Sequence, residues 1–275
     1  MKAKFDYQHF LDLVSTGRIE DAFNYRSSFT PDYLYKFFPL VDDSNDRMNQ
    51  LRFYSLTNNY LWFAIPEVQN DPYEFMGLYW DEDQLLKMGV LQRSIDDAKI
   101  LLFKQIALTA FTSNMDNNLP MWAHYANNHH GYCVKYKVKN KRAIRNVIYD
   151  SQRISMTKTF LNLINMINKG MKMRDKRFID EAKINSAVLQ DKFFYKHISW
   201  AYENEFRALW LFEGEKAGFN LPIDELSLAV EEIYGGINCS DQNKKELSRI
   251  ATMLNVPFKE CTMSNTEFTV LVENK

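Results

Sequence analysis

Glycine is scarce in this chain, which contains nine in 275 residues. None of the nine falls in a G-x-G pattern or in the spacing of a phosphate-binding P-loop. Glycines at those spacings allow a backbone to approach the phosphates of a nucleotide closely. The sequence therefore argues against both Rossmann-type and P-loop chemistry.

Cysteines and long apolar runs are scarce too. The three cysteines, Cys133, Cys239 and Cys261, are odd in number and lack paired metal-ligand spacing, which is typical of reduced thiols in a cytoplasmic protein. The N-terminal residues begin with positive charge but without the apolar stretch of a signal peptide, and no apolar run reaches transmembrane length. We therefore expect a cytoplasmic protein without membrane contact.

An excess of charge is also absent, since the formal net charge is −1. No global field draws such a chain towards nucleic acid or a membrane surface. One stretch is locally basic and contains Lys169, Lys172, Arg174, Lys176 and Arg177. This stretch is consistent with a nucleic-acid-processing factor and, more simply, with the solvated face of a helix.

The apolar periodicity predicts an α+β fold. Residues 1–30 form a helical N-terminal arm, and residues 31–275 form a single α+β domain with a helical insertion at about 155–196. Strands are expected at 33–38, 60–65, 106–113, 132–138, 256–263 and 268–272, and helices at about 48–56, 83–104 and 241–254.

Two glutamates stand together in Trp200-Ala201-Tyr202-Glu203-Asn204-Glu205-Phe206-Arg207. In an extended backbone Glu203, Glu205 and Arg207 would share one face. Crowded carboxylates raise the pKa of one of them unless a cation intervenes, which is how acid–base sites are commonly built. A structural ion pair between Arg207 and one glutamate explains the same residues.

Other candidate sites have simpler explanations. His124, His129 and His130 are not spaced to share one helical face, so we expect no metal site. Asn70-Asp71-Pro72-Tyr73-Glu74 reads as a structural turn, or as a loop that lines a pocket. Cys133 alternates within an apolar strand, which argues against a nucleophilic role beside a histidine.

Four motifs stand in order along the chain. They are Leu34-Tyr35-Lys36-Phe37, Leu61-Trp62-Phe63-Ala64 with Asn70-Asp71-Pro72, Met121-Trp122-Ala123-His124-Tyr125-Ala126 with Gly131, and Trp200-x-x-Glu203-x-Glu205-x-Arg207. Together they resemble a bacterial domain-of-unknown-function family, number 2971, from about Tyr33 to the C-terminus. The resemblance implies a related fold and leaves the activity open.

A more distant resemblance concerns activity. Lys36, then Phe111-Thr112-Ser113, then Glu203-x-Glu205 resemble the ordered motifs of NAD-dependent mono-ADP-ribosyltransferases of the Arg-Ser-Glu type. Lysine replaces the family's arginine here and gives up bidentate recognition, and the hydroxyl motif matches only in part. The resemblance implies an ADP-ribosyltransferase-like mixed sheet core and NAD as the substrate.

The same resemblance implies roles for individual residues. Glu205 would be catalytic, Glu203 would orient the acceptor, and Lys36 would contact the pyrophosphate of NAD. Ser113 would support the site. The aromatic side chains expected to stack on nicotinamide are Trp122 and Tyr125.

Two classes of function follow from these motifs. The first is an NAD-dependent ADP-ribosyltransferase-like enzyme, as in a toxin or an anti-phage defence effector, acting on an unknown protein or nucleic-acid acceptor. The second is a noncatalytic interaction module of a bacterial defence system, in which the tryptophan and glutamate motifs hold the core together. The sequence does not indicate an oligomeric state.

Overall fold

A computed structural model describes residues 5–65, 68, 71, 73–103, 106–115, 119–173, 176–212 and 217–273. The α-helices of this part of the chain are α1 (Tyr7–Ser15), α2 (Ile19–Ser27), α3 (Arg47–Thr57), α4 (Glu82–Lys87), α5 (Gln92–Phe103), α6 (Leu119–Tyr125), α7 (Thr157–Met173), α8 (Lys176–Leu189) and α9 (Asp241–Leu254). Short 3₁₀ helices cover Gln190–Phe194, Ile198–Glu203 and Ile223–Leu226.

The strands of the same ranges are β1 (Tyr33–Phe38), β2 (Tyr60–Ala64), β3 (Leu78–Tyr79), β4 (Ile106–Thr112), β5 (Tyr132–Val138), β6 (Arg145–Asn146), β7 (Ile148–Asp150), β8 (Ile154–Ser155), β9 (Tyr195–His197), β10 (Glu205–Leu211), β11 (Gly218–Pro222), β12 (Leu228–Gly235), β13 (Phe258–Met263) and β14 (Val270–Glu273). The irregular mixture of helices and strands makes the fold α+β, as the sequence predicts.

One mixed sheet holds the molecule together. Its order is β11-β2-β4-β1-β5-β12-β13-β14, and β10 pairs with β4 and with β6. The pairs are antiparallel except that β12 and β13 run parallel. On β5, Val134 faces the main core while Cys133 faces a second core around Trp122. Both faces of this central strand are therefore buried, which explains its apolar sequence.

The sheet forks at β4. One edge of β4 pairs with β10 along its whole length, from Glu205 opposite Thr112 to Leu211 opposite Ile106. On the other edge β1 pairs only near Thr112, and β2 pairs only at Leu108. β1 and β2 therefore meet this edge of β4 at different positions, and a cleft lies between them.

Local signals explain several helix ends. The side chain of Asp46 accepts hydrogen bonds from the first turn of α3, and Ser240 caps α9 in the same way. The helix expected at 83–104 is two helices, α4 and α5. The interruption has a physical reason, because Gly89 after α4 adopts a left-handed φ of +84° that a helix cannot continue.

The N-terminal helices α1 and α2 form a small aromatic cluster of their own. They attach to the rest of the chain through Arg26, whose Nη1 lies 2.5 Å from Asp191 Oδ1. Both side chains are buried, and the guanidinium also lies over the rings of Phe10 and Phe194 at 5.3 and 5.0 Å. This ion pair is a buried polar link between the arm and the domain.

Candidate functional site

A cavity of about 220 Å³ occupies the fork between β1 and β2. Its walls come mainly from three strands of the fork, and its floor comes from charged residues of β9, of the start of β10 and of the segments before β3 and β10. The lining residues are Tyr35, Lys36, Phe37, Trp62, Ala64, Glu74, Leu108, Thr109, Ala110, Phe111, Thr112, Met121, Tyr125, Lys196, Glu203, Glu205 and Arg207.

The two glutamates converge on one lysine. Lys196 Nζ lies 2.7 Å from Glu203 Oε2 and 3.4 Å from Glu205 Oε2. It also lies 3.6 Å from Glu74 Oε2. A buried ammonium group thus sits among three carboxylates.

The backbone that brings the glutamates together differs from the sequence-based expectation. Glu203 ends the 3₁₀ helix Ile198–Glu203, Asn204 is left-handed with φ 44°, and β10 begins at Glu205. The expectation that Glu203 and Glu205 share one face of a single strand is therefore wrong. The two carboxylates meet because a turn, rather than strand alternation, aims both at Lys196.

Arg207 forms the second cationic centre of the cluster. Its Nε and Nη2 donate to the two oxygens of Glu205 at 2.6 and 2.9 Å, and Nη2 also donates to Glu74 Oε1 at 2.7 Å. The paired geometry is the bidentate arrangement that guanidinium and carboxylate favour. The structural ion pair considered for Arg207 from the sequence is present and buried.

The two glutamates respond oppositely to this environment. Burial and the neighbouring charge of Glu205 raise the pKa of Glu203, although Lys196 and the hydroxyl of Tyr125 oppose the shift. Burial alone would raise the pKa of Glu205 as well, but Arg207 and Lys196 outweigh it and hold that pKa below its usual value. Glu205 therefore loses its proton more readily than an ordinary glutamate, and Glu203 holds a proton more readily.

Lys36 stands on the opposite wall of the cavity. Its Nζ donates to the carbonyl oxygen of Ala110 at 2.7 Å, on the open edge of β4. Burial lowers the pKa of Lys36 to about 8, and the negative charge of Glu205 opposes this shift. The side chain is therefore a cation that loses its charge at mildly alkaline pH.

One family model matches part of the chain. Residues 121–208 match the model described as protein of unknown function, DUF2971. The match supports the resemblance seen in the sequence, and it includes Tyr125, Lys196, Glu203, Glu205 and Arg207. Neither the curated proteins nor the solved structures gave a match.

The part that matches DUF2971 supplies most of the charged floor, while the walls come from outside it. Of the residues expected from the sequence, Lys36, Tyr125, Glu203 and Glu205 line the cavity. Tyr125 donates its hydroxyl to Glu203 Oε1. These four residues come from three separate parts of the chain and meet at one site.

Two expected site residues do not line the cavity. Ser113 lies past the end of β4, where its backbone N–H donates to the carbonyl of Asn204 at 3.1 Å, and Thr112 lines the wall instead. Trp122 is fully buried, with its ring edge-on to Phe37 at 4.9 Å. The indole packs the core on that face, so it offers no free surface for nicotinamide.

Other functional candidates had little signal in the sequence. No sequence signal marks Lys196, which ends the predicted helical insertion, and the sequence points to Glu74 only as part of a possible pocket loop. Within that loop, Asn70 and Pro72 lie outside the described residues. Trp62 belongs to the family motif, and its indole is 49% exposed on the cavity wall.

Room for the Trp62 indole comes from Gly218 on the neighbouring strand β11. A Cβ at position 218 would lie 2.7 Å from Trp62 Cζ2 and 2.1 Å from the carbonyl oxygen of Phe63. Only glycine allows this approach. The packing holds the indole against β11 at the side of the cavity.

The histidines and cysteines stay apart from this site. His130 Nδ1 lies 2.8 Å from Asp42 Oδ1, and the ring of His129 stacks on Trp122. Among the residues that the structure describes, no group of three His, Cys, Asp or Glu side chains is placed to hold a metal ion. None of the three cysteines is in a disulfide, all three are buried, and burial raises the pKa of the Cys133 thiol.

Two further sequence features bear on possible partners. In the described ranges no helix is both long and apolar enough to cross a membrane. Of the basic stretch, Lys169 and Lys172 are exposed on α7. Arg174 and the side chains of Lys176 and Arg177 lie outside the described part of the chain.

Proposed function

We propose that the fork cavity is the active site of an enzyme that acts on NAD, with an ADP-ribosyltransferase-like core. The observation that carries the proposal is the pair of buried glutamates with opposite pKa shifts at the cavity floor. In many active sites the environments of two carboxylates drive their pKa values apart. One carboxylate then acts as a fixed negative charge, and the other takes part in acid–base chemistry.

The free-energy cost of burying the charged cluster supports a functional role. Three carboxylates and two cations are buried together, and apolar residues of similar volume often stabilise a fold as well or better. A cluster that only held the core together would have no need of a cavity beside it. Perturbed ionisable groups that line a cavity favour an active site.

The proposed chemistry assigns one step to each glutamate. As the bond between nicotinamide and ribose C1′ breaks, its electron pair leaves with nicotinamide and positive charge develops on the ribose. The ionised Glu205 stabilises that charge. An acceptor hydroxyl or amine then bonds to C1′, and its proton passes to Glu203, whose raised pKa suits a general base. In hydrolysis a water molecule bonds to C1′ instead and releases its proton to solvent.

The other walls of the cavity match the remaining parts of NAD. The ammonium of Lys36 provides a cation for the pyrophosphate, and the exposed indole of Trp62 provides a planar surface for a ring. Lys36, Thr112 and Glu205 reach the cavity from β1, β4 and β10, in the order that the resemblance implies. This convergence supports the ADP-ribosyltransferase-like core.

Calorimetric titration with NAD, combined with detection of released nicotinamide, tests the proposal. We expect saturable binding that Trp62→Ala weakens, together with slow release of nicotinamide when water is the acceptor. Glu246→Gln is the control, because Glu246 pairs with Arg249 on the outer side of α9 and does not line the cavity. A wild-type protein that neither binds nor cleaves NAD would contradict the proposal.

One observation favours the second candidate, a noncatalytic interaction module. Both oxygens of Glu205 are already engaged by Arg207, and Lys196 contacts one of them. In a module this network would serve only to join β10 to its neighbours. The absence of NAD binding, together with a large loss of stability in Glu205→Gln, would support this alternative.

A further inference from the structure

A second cavity, of about 470 Å³, lies beside Lys196. Lys196 lines both cavities, but the remaining walls of the second one come from other residues. Among them are Asp71, Tyr73, Asp150, Tyr195 and Trp200. The proposed NAD chemistry makes no use of this space.

Asp71 is the unusual residue in this cavity. It is 7% exposed, and its Oδ1 accepts a hydrogen bond from the backbone N–H of Tyr73 at 2.9 Å. Its Oδ2 is buried and has no hydrogen-bond partner in the described chain. A buried carboxylate oxygen without a partner is costly, so a group that donates to it would be bound favourably.

The cations of the cavity wall do not fill this role. Lys196 is held by its three glutamates. Arg153 donates from Nε to the carbonyl oxygen of Met76 at 2.7 Å, and its guanidinium lies over the ring of Tyr79. Within the described ranges neither cation pairs with Asp71, whose Oδ2 is thus left for a donor from outside the chain.

We propose that the second cavity binds an organic cation, a molecule with an ammonium or guanidinium group. The N–H groups of that cation donate to Asp71 Oδ2, and its carbon atoms lie against the aromatic side chains of Tyr195 and Trp200. A metal ion fits less well, because among the described residues no three His, Cys, Asp or Glu side chains are placed so that they could hold one. The proposal does not depend on NAD cleavage.

Titration with small probes tests this site directly. The probes are methylguanidinium and methylammonium, with methylurea as the uncharged analogue of methylguanidinium, and the nitrogen-bound proton of the Trp200 indole reports binding by NMR. We expect at least one cation to saturate this signal and to bind at least tenfold more tightly than methylurea. Equal binding of methylurea, or no saturable binding by either cation, would overturn the proposal.

Asp71→Asn is the decisive variant. The amide keeps an oxygen for the N–H of Tyr73, so the turn is preserved, but it replaces the unpartnered oxygen with a donor. We expect cation affinity to fall at least tenfold, while Asp83→Asn on exposed α4 leaves it unchanged. Unchanged affinity in a folded Asp71→Asn protein would refute the site. If that variant does not fold, the comparison with methylurea on the wild-type protein decides.

Discussion

At the scale of single residues, Glu203 and Glu205 show how neighbours decide chemistry. The two side chains are identical and only one residue stands between them in the sequence, yet their pKa values shift in opposite directions. Arg207 accounts for the difference, because it binds both oxygens of Glu205 and neither of Glu203. The proposed division into an ionic and a proton-accepting glutamate follows from that contact.

The first prediction concerns Glu205→Gln, which removes the charge and keeps the shape. If Glu205 stabilises a cationic transition state, release of nicotinamide should fall about a hundredfold or more, with NAD affinity little changed. Glu203→Gln should impair transfer to an acceptor more than it impairs NAD hydrolysis. Turnover numbers and calorimetric affinities for both variants check this.

A melting curve of the same Glu205→Gln protein separates the two candidate functions. Because Arg207 would lose its ionic partner, the variant is also expected to lose stability, by about 3–5 kcal/mol when a buried pair is broken. An enzyme shows this loss together with the loss of turnover. A loss of stability in a protein whose wild type has no NAD activity points to the module.

A second prediction uses the lowered pKa of Lys36. Burial brings this pKa from 10.5 to about 8, so the ammonium is present below pH 8 and is lost as the pH rises through it. NAD affinity should therefore fall between about pH 7 and pH 9. Lys36→Arg keeps its charge and should show a flat profile, and Lys36→Met should bind weakly at every pH.

The pH profile also has a clear contrary outcome. Equal pH dependence in the wild type and in Lys36→Met would show that another group controls binding. The pH dependence of stability has the opposite sign to that of NAD affinity. Above pH 8 this lysine still holds its proton in the unfolded chain, whereas in the folded protein it has released it. This group therefore makes the folded state relatively more stable as the pH rises from about 8 towards 10.5.

At the scale of elements, cross-strand charge pairs fix the half of the sheet away from the fork. Glu232 on β12 accepts from Lys135 on β5 and from Lys259 on β13, each at 2.7 Å. The hydroxyl of Tyr234 donates to the same carboxylate. One glutamate thus connects three neighbouring strands.

The third prediction follows from this cluster. Burial would raise the pKa of Glu232, but the hydrogen bonds from Lys135, Lys259 and Tyr234 lower it to about 2. A carboxylate whose pKa is lowered in the folded protein stabilises the fold at pH values above its pKa in the unfolded chain. This stabilisation is lost as the pH falls towards 2. The difference in unfolding free energy between wild type and Glu232→Gln should therefore shrink steadily from about pH 5 to pH 2.

Urea unfolding at several pH values measures this difference. Glu225→Gln, on an exposed 3₁₀ turn, serves as the control and should show no such trend. A gap between wild type and Glu232→Gln that stays constant down to pH 2 would mean that the cluster does not lower the pKa of Glu232.

At the scale of the whole molecule, a buried ion pair helps to attach the N-terminal arm to the domain. Arg26 on α2 reaches Asp191, which is completely buried, and Arg145 Nη1 is the next cation at 3.8 Å. The guanidinium also packs on aromatic rings from both the arm and the domain. Charge and apolar packing therefore act at the same place.

The fourth prediction is that Arg26→Met destabilises the protein by about 3–5 kcal/mol, because it leaves the carboxylate of Asp191 buried without its closest partner. Arg26→Met with Asp191→Leu should recover much of the loss. Arg18→Met, which breaks an exposed pair with Asp21 on the same helix, should change stability little. Equal melting temperatures for Arg26→Met and Arg18→Met would disprove the anchoring role.

Much of the secondary structure could be predicted from the sequence because its causes are local. Apolar alternation and flanking turns mark β1, β4 and β5, and the cap at Ser240 marks the start of α9. The sequence-based predictions are wrong where a single residue changes the backbone conformation. Gly89 divides a predicted helix, and Asn204 with φ 44° interrupts a predicted strand.

The candidate site could be predicted only in part. Short motifs directed attention to Lys36, Tyr125, Glu203 and Glu205, which do line one cavity. The same motifs pointed to Ser113 and Trp122, which do not. A motif records which residues occur together along the chain, but it does not record which of them turn into the core.

The sequence by itself determined the local elements, the α+β class and the proximity of Glu203 to Glu205, because each depends on residues close together along the chain. Only the tertiary structure decided that Lys196 and Glu74 join those glutamates, and that Asp71 faces a separate cavity. These contacts depend on how the sheet forks at β4 and on where the intervening helices place the segments that follow them. Because electrostatic interactions act between neighbours in space, the packing of the chain determines the electrostatic environment of the site residues.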